Sequence, residues 1–181
     1  QAESYVGITL RDHAGLPIGL IAVIGRHVLI GCAEAQATLE RVAVRAAGEL
    51  ERLNAEERLH LAASVFVHAR EGITITDPQG IIIDVNDAFT RITGYSRDDV
   101  LGRNPRMLGS GRQDQAFYQA MWRELTEHGH WSGEIWNRRK NGEVFAAMQT
   151  ISAVRDVFGM VRHYVALFSD VTAQKAHESE L

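Results

Sequence analysis

The spacing of apolar and polar residues changes along the chain, and the first pattern is typical of a β-hairpin. Residues 5–10 and 18–24 are rich in apolar and β-branched residues, and both stretches have the length of strands. The segment 11–17 between them carries Asp, Gly and Pro, which favour turns. A lone hairpin is only marginally stable in water, so we expect this one to pack on another element.

A long helix is predicted next, over residues 33–69. Its apolar residues recur at steps of three and four, which places them on one helix face: Leu39, Ala43, Ala46, Leu50 and Leu53. An ordinary amphipathic helix packed on a core would show this stripe, and so would a signalling helix that pairs with a second copy of the chain. The stripe is narrow and the helix joins two differently built regions. Both features favour a homodimer through residues 33–69, with the regular seam ending near Glu56.

From residue 70 onward, strands and helices are mixed. Two strands come first, then short helices that Asn86 or Asp87 and Ser96 can cap, and then a longer helix that Asp114 can cap. Three longer strands follow, the first two joined by an Asn-Gly turn. This order predicts an α+β fold, in which helices cover one face of a five-stranded antiparallel sheet and leave a ligand cavity between the layers. The predicted strands are residues 72–77, 81–85, 131–139, 143–154 and 160–168, and the longer helix is 115–127.

Composition and charge exclude several classes of function. Of the 181 residues, 45% are hydrophobic and 23% charged, and the net charge of −4 gives no general attraction to nucleic acid or to an anionic membrane. The single cysteine, Cys32, rules out an intramolecular disulfide and a cysteine-rich zinc site, and it fits a reducing, cytoplasmic setting. The longest apolar run, residues 19–25, is far shorter than a membrane-spanning helix requires. We therefore expect neither nucleic acid nor a membrane among the partners.

Several short motifs follow one another between about residue 64 and residue 172. They are Gly72-Ile-Thr-Ile-Thr-Asp77, Val85-Asn-Asp-Ala-Phe89, Ile92-Thr-Gly-Tyr-Ser96, Leu101-Gly-Arg-Asn104 and Asn137-Arg-Arg-Lys-Asn-Gly142. In their order and spacing they resemble a PAS sensor domain, and the segment Phe168-Ser-Asp-Val-Thr172 is similar to the Asp-Ile-Thr ending of that family. The resemblance implies the PAS fold and a non-catalytic sensory role in a bacterial signal-transduction protein.

The resemblance also predicts how the chain is divided. Residues 1–32 resemble the last two strands of a GAF domain, 33–69 a signalling helix, 70–172 the PAS domain, and 173–181 the start of a helix that leads to an output domain. In proteins that resemble this one, the output is often a diguanylate cyclase, sometimes with a phosphodiesterase, and sometimes a histidine kinase. We therefore expect a fragment of a longer protein, with cyclic-di-GMP metabolism as its output. The alternatives are a ligand-free structural dimerisation module and the input module of a sensor histidine kinase.

The segment 102–112 holds three glycines and three arginines and invites comparison with an anion-binding loop. A phosphate-binding loop would close on Gly-Lys-Ser/Thr, whereas Gly111 is followed by Arg-Gln, so this interpretation is weak. In the light-sensing flavin domains of the PAS family, a cysteine follows the asparagine that matches Asn104. Pro105 stands there in this sequence, which excludes a flavin-cysteine photoadduct at that position.

FAD is the cofactor that the resemblance implies. In PAS domains that hold FAD as a redox sensor, a tryptophan on the long helix matches Trp122 and an asparagine beside the flavin matches Asn137. A glutamate near the ring falls on Pro105, so one polar contact is lost. An indole can pack on the flavin ring, and an amide can both donate to its polar edge and accept from it. The candidate cofactor-binding residues are Asn104, Trp122, Trp131 and Asn137; alternatively, Trp122 is a core residue and Asn137 a strand-edge residue.

Other chemistries find less support in the sequence. Haem would need an axial histidine that faces the cavity, and within the long helix only His128 occurs, at its extreme end. His128, His130 and His163 lack an accompanying cysteine or carboxylate, so we expect no metal site. Nothing like a nucleophile elbow surrounds any serine, so no catalytic residue is predicted. The basic segment 138–140 is interpreted as a solvated hairpin tip.

Overall fold

The chain folds into two compact units. In the computed structural model, residues 4–27 and 32–179 are described, and the units comprise residues 1–63 and 64–181. Parts of the predicted GAF remnant (1–3 and 28–31) and of the predicted output helix (180 and 181) lie outside the described residues. None of the described helices is long and apolar enough to span a membrane.

The first unit contains the predicted hairpin. Strand β1 (Ser4–Arg11) pairs with β2 (Pro17–Gly25) in antiparallel register. In the turn between them, the Asp12 carboxylate accepts hydrogen bonds from two backbone N–H groups. Gly15 adopts a φ of 81°, a conformation that glycine reaches without strain.

Helix α1 (Cys32–His68) packs the middle of its apolar stripe against this hairpin. Leu10, Ala43 and Ala47 form the centre of a small core, and Leu50 is among the half-buried residues around it. The stripe that was predicted to pair with a second copy is thus covered, from Ala43 to Leu50, by the chain's own hairpin. The amphipathic interpretation describes this stretch, and the homodimer stays a prediction. From residue 52 to residue 63, every position of the helix is exposed.

The second unit contains a five-stranded antiparallel sheet, and the predicted α+β fold is confirmed. Its elements are β3 (Gly72–Thr76), β4 (Ile82–Val85), α2 (Asp87–Thr93), α3 (Arg97–Val100), α4 (Gln115–His128), β5 (His130–Arg138), β6 (Val144–Arg155), β7 (Val161–Asp170) and α5 (Thr172–Ser179). The strands lie in the order β4-β3-β7-β6-β5, so that β4 and β5 form the two edges.

The predicted cap residues mark the starts of the helices in this unit. Asn86 and Asp114 accept hydrogen bonds from backbone N–H groups in the first turns of α2 and α4. Ser96 and Asp99 form a reciprocal capping box at α3. These contacts satisfy N–H groups that have no partner within a helix, and they therefore fix where each helix begins.

The segment 102–112 is not a simple loop, because it contains one turn of 3-10 helix (Pro105–Leu108). Asn104 caps this turn by accepting a hydrogen bond from the backbone N–H of Arg106 at 3.0 Å. The proline fits the first position of the turn, where an N–H would have no helical partner.

The segment that contains the 3-10 turn connects the two edge strands of the sheet. Before it, the N–H of Gly102 donates to the carbonyl of Ile82 in β4. After it, Gly109 forms a bridge with Asn137 in β5. Segment 102–109 therefore runs over the face of the sheet that the helices cover.

Side chains fill the space between the sheet and the helices. Phe89, Phe145 and Phe168 are buried there, and the rings of Phe89 and Phe168 meet edge to face with centroids 5.9 Å apart. Gly72 is required beside them, because a Cβ at this position would lie 2.3 Å from the Phe168 ring. The other buried members of this core are Ile82, Val85, Val100, Leu108, Ile135 and Ala147. In the described part of the chain, these side chains occupy the space where a ligand cavity was predicted.

Candidate functional site

Of the four candidate cofactor-binding residues, Asn137 suits a polar ligand best. It lies near the end of β5 and is 6% exposed. Its side-chain amide makes no hydrogen bond to any described residue. Its polar atoms are not sealed from solvent, because Gln113 Oε1 is the buried side-chain atom without a partner among the described residues. A ligand could therefore hydrogen-bond to the Asn137 amide.

Asn104 lies on the other side of the 3-10 turn. Its Oδ1 is engaged by the N–H of Arg106, and its Nδ2 points toward the β3–β4 turn, where a Cβ on Gly80 would lie 3.4 Å away. The capping contact accounts for the position of this side chain without a ligand.

Trp131 lies far from Asn137, and Trp122 packs on another residue. Trp131 precedes it by six residues in β5, a distance of roughly 20 Å in an extended strand. Trp131 is buried in a second core cluster with Met121 and Leu125. Trp122 is 40% exposed, and its ring meets that of Tyr164 edge to face, with centroids 5.4 Å apart.

The structure therefore does not gather the four residues around one ring. Trp131 has the buried environment expected of a core residue, and Trp122 lies at the edge of the same cluster. Only Asn137 combines burial with an unused amide, so it alone fits the polar edge of a flavin. The cofactor-binding role of the set stays a prediction.

A cluster of polar contacts lies where β7 leads into α5. Arg139, in the β5–β6 hairpin, donates from Nη2 to Asp170 Oδ2 at 2.5 Å and from Nη1 to the backbone carbonyl of Ile92 in α2. Asp170 Oδ1 accepts hydrogen bonds from the N–H of Thr172 at 3.0 Å and from its hydroxyl at 2.6 Å. We call Arg139, Asp170 and Thr172 the exit junction.

The exit junction is less exposed than an ordinary surface ion pair. The Arg139 side chain is 17% exposed, and its guanidinium lies 4.3 Å from the centre of the Phe145 ring. Burial acts to raise the pKa of Asp170, but the hydrogen bonds from Arg139 and Thr172 outweigh it, and the pKa is lowered. The junction thus connects an aromatic ring of the core to the first residue of α5.

Arg139 corrects the interpretation of segment 138–140 as a solvated tip. Arg138 and Lys140 are exposed, whereas Arg139 turns inward to Asp170. The sequence contained one signal for this, because Asp170 in the Asp-Val-Thr ending is a carboxylate that needs a partner once it is partly buried. Which of three neighbouring cations would supply it depends on the geometry of the hairpin.

A matching cluster lies where α1 leads into β3. Asn86 Oδ1 accepts hydrogen bonds from the N–H groups of Ile73 at 2.8 Å and Phe89 at 3.0 Å. Asn86 Nδ2 donates to the carbonyls of Phe66 at 3.1 Å and Glu71 at 3.0 Å. We call this buried amide and its partners the entry junction, because it ties the end of α1 to the first strand and the first helix of the unit.

A surface groove of about 480 Å³ adjoins the exit junction. It is lined mostly by polar side chains, including Arg91, Arg139, Lys140 and Glu143. Cofactor sites are usually concave and largely apolar, so this open groove does not replace the predicted cavity. Among the described residues, no three His, Cys, Asp or Glu side chains lie close enough together to hold a metal ion.

Comparison with known proteins identifies relatives of the second unit. A family model described as a PAS domain matches residues 70–173. The chain is 34% identical over 113 residues to a nitrogen fixation regulatory protein of Klebsiella oxytoca, covering 62% of this chain and 23% of that protein. It is also 34% identical over 104 residues to a blue-light-activated histidine kinase of Brucella canis (strain ATCC 23365 / NCTC 10854 / RM-666), covering 58% of this chain and 21% of that protein.

Among solved structures, the fold resembles one reported as "Flavin Analogue Sheds Light on Light-Oxygen-Voltage Domain Mechanism". The TM-score is 0.54 at 28% sequence identity, and the match covers 67% of this chain and 96% of that one. The chain spans less than a quarter of the length of the two curated relatives, of which it covers 23% and 21%.

Proposed function

We propose that the chain, which belongs to the PAS family of non-catalytic sensory domains, is a relay module. It passes the ligand occupancy or redox state of its PAS domain to a downstream output domain. The curated relatives are a regulatory protein and a histidine kinase, and the chain matches only part of each, which supports the presence of such a domain. Cyclic-di-GMP metabolism is the output that the family resemblance predicts, and histidine kinase activity is the alternative.

The exit junction is the observation that carries this proposal. Arg139 is bound at once to α2, to the aromatic core and to Asp170, the last residue of β7. A shift of the β5–β6 hairpin would therefore move Asp170, and with it Thr172, which shares the same carboxylate. Helix α5 would then change its direction or its packing, which is a common form of signal transfer between domains.

We propose a flavin as the ligand, with FAD as the specific prediction. The Asn137 side chain, which makes no hydrogen bond to a described residue, and the likeness to a structure reported with a flavin analogue support this class of ligand. A bound flavin supplies a ring whose charge and hydrogen bonding change with its redox state. Asn137 would donate to the polar edge of the ring or accept from it. Pro105 carries no thiol, so the signal would not pass through a cysteine adduct at that position.

The filled core favours a second candidate, a ligand-free structural dimerisation module. Phe89, Phe145 and Val100 are completely buried between the sheet and the helices. If this packing is retained in solution, the unit needs no ligand to complete its core, and signals would pass through it mechanically.

We propose that the homodimer predicted over residues 33–69 also uses the exposed part of α1, beyond the point near Glu56 where the regular seam was predicted to end. Ala55, Leu59 and Ala62 recur at steps of four and three, which is the spacing of a coiled-coil seam. Residues 52–63 are exposed on every side of the helix. A single helix surrounded by water is marginally stable, so a second helix along this seam would stabilise it.

An absorption spectrum of the purified protein tests the ligand. A flavin would give bands at roughly 370 and 450 nm, and denaturation would release it for identification. A colourless protein that releases no small molecule would exclude the FAD proposal and favour the ligand-free module.

Output activity of the full-length protein tests the relay. With Asp170→Asn, we expect GTP cyclisation or autophosphorylation to stop responding to the redox state of the ligand, while the absorption spectrum is retained. Asp98→Asn, at an exposed position of α3, is the matched control and should respond like the wild type. A normal response of Asp170→Asn would rule out the exit junction as the route.

A further inference from the structure

The hairpin between β6 and β7 ends in exposed apolar side chains. Val157 is 94% exposed, Phe158 86% and Met160 66%. We call these three residues the apolar tip. Single exposed apolar residues are common on protein surfaces, but three within four positions of one turn form a patch that marks an interaction site.

Several backbone groups of this turn are already satisfied by internal hydrogen bonds. Asp156 Oδ1 accepts from the N–H groups of Phe158 at 2.9 Å and Met160 at 3.0 Å, and the N–H of Gly159 donates to the Asp156 carbonyl at 2.9 Å. Arg155 Nη1 donates to the carbonyl of Gly159 at 3.0 Å. The apolar tip can therefore enter apolar surroundings without leaving these backbone groups unpaired.

Positive charge lies directly behind the apolar tip. Arg155 and Arg162 flank it on the two strands, and both are exposed. Asp156 is the only acidic residue between positions 152 and 165, and its oxygens are engaged by the turn and by Arg162 Nε at 2.8 Å. The surface that meets a partner here is therefore apolar at its end and cationic at its base.

We propose that the apolar tip docks reversibly into an anionic lipid surface. Apolar side chains would enter the acyl boundary, while Arg155 and Arg162 would reach the phosphate and carboxylate groups of the lipid headgroups. A second copy of the chain fits less well, because contact between two tips would bring two Arg155 side chains together, whereas each Arg162 is paired with Asp156. A bilayer also accommodates a convex projection without a preformed groove.

This proposal concerns the hairpin and not the chain as a whole. The net charge of −4 gives no general attraction to an anionic membrane, and the absence of membrane contact was the sequence-based expectation. Binding would therefore depend on the apolar tip and on its two flanking arginines, and it would weaken as salt screens them.

Sedimentation of the full chain with lipid vesicles tests the proposal. We expect binding to vesicles of phosphatidylcholine with phosphatidylserine, and much less to phosphatidylcholine alone. The double variant Val157→Ser, Phe158→Ser should lower the lipid partition coefficient roughly tenfold or more, because it removes two large apolar groups from the contact. Leu16→Ser is the matched control, since Leu16 is exposed in the turn of the other hairpin, and it should bind like the wild type.

A second readout reports the depth of the apolar tip. In Phe158→Trp, vesicles with phosphatidylserine should shift the added tryptophan emission to the blue, and brominated acyl chains should quench it. Circular dichroism and thermal unfolding are the measurements that check whether the variants remain folded. The proposal is wrong if the wild type does not bind the vesicles, or if the double variant binds as well as the wild type. It is also wrong if the apolar tip variants change only the oligomeric mass, because the tip would then be a contact between copies.

Discussion

Asn86 is a single buried amide that holds three elements in place, the end of α1, the start of β3 and the start of α2. Asp is as good a helix cap as Asn, so Asn86→Asp keeps the cap. It replaces the two donated hydrogen bonds with contacts between a carboxylate oxygen and the carbonyls of Phe66 and Glu71. We predict that Asn86→Asp lowers the free energy of unfolding by about 1–3 kcal/mol, measured by chemical denaturation.

The control for Asn86 is Asn54→Asp, at an exposed position of α1. Surface substitutions of this kind change stability by less than about 0.5 kcal/mol. Equal effects of the two variants would show that the hydrogen bonds of the entry junction do not stabilise the fold.

Asp99 provides a pH-dependent contact at the residue scale. Its carboxylate accepts a hydrogen bond from Lys140 Nζ at 2.6 Å and takes part in the capping box with Ser96. The hydrogen bond from Lys140, followed by those from Ser96, lowers the pKa of Asp99 from 3.8 to about 2. A lowered pKa means that the stabilisation is present above pH 3.8 and is lost as the pH falls through about 2.

We predict that carbon-13 NMR of the Asp99 carboxyl group gives a pKa near 2 in the wild type. In Lys140→Gln, the pKa should rise toward the ordinary 3.8, because the largest cause of the shift is removed. Arg91→Gln serves as the control and should leave the titration unchanged. A pKa that does not move in Lys140→Gln would assign the shift to the capping box instead.

At the scale of elements, α1 carries two apolar stripes at different places along its length. The first packs on the hairpin β1–β2 around Ala43 and Ala47, and the second, which includes Leu59, is exposed. We predict that Leu59→Glu converts the dimer into a monomer in analytical ultracentrifugation, because it places a charge in the seam of each helix. Leu61→Glu, two residues away on another face of the helix, should leave the mass unchanged. A monomeric wild type, or equal effects of both variants, would contradict the seam.

The two stripes show that the residue pattern of a single element predicts its secondary structure but not its packing partner. The steps of three and four predicted the helix itself, because helical periodicity is a local property. They did not predict what covers the stripe at Ala43, because hydrophobic burial has no direction and a hairpin or a second helix satisfies it equally well. The caps Asn86, Ser96 and Asp114 could be predicted for the opposite reason, since the capping bond of each runs to an N–H group three residues ahead.

At the scale of the whole molecule, the fold could be predicted and the candidate site only in part. The five-stranded antiparallel sheet could be predicted from the order of elements along the chain, and the structure has it. Trp122 and Asn137 can share a ligand only if the helix face that carries Trp122 lies beside the end of β5 that carries Asn137. That arrangement depends on how the two elements pack, which their sequences do not determine locally. Arg139 was missed for the same reason, because its partner Asp170 is 31 residues away. The role of a residue that depends on such long-range contacts can be assigned only from the structure.

The exit junction leads to a prediction that spans the second unit. Arg139→Gln removes the charge bound to Asp170 and the cation over the Phe145 ring, but it leaves the hydrogen bonds between Asp170 and Thr172 in place. We expect the backbone amides of α5 to exchange with deuterium roughly tenfold faster, a change of about 1.4 kcal/mol in opening free energy. Amides of β3 should change less, because the entry junction holds them independently of Arg139.

The control is Arg91→Gln, because Arg91 lines the same groove as Arg139. Unchanged exchange in α5 would mean that Asp170 and Thr172 hold the helix without Arg139, and the proposed route from the core to the output would be broken at this residue.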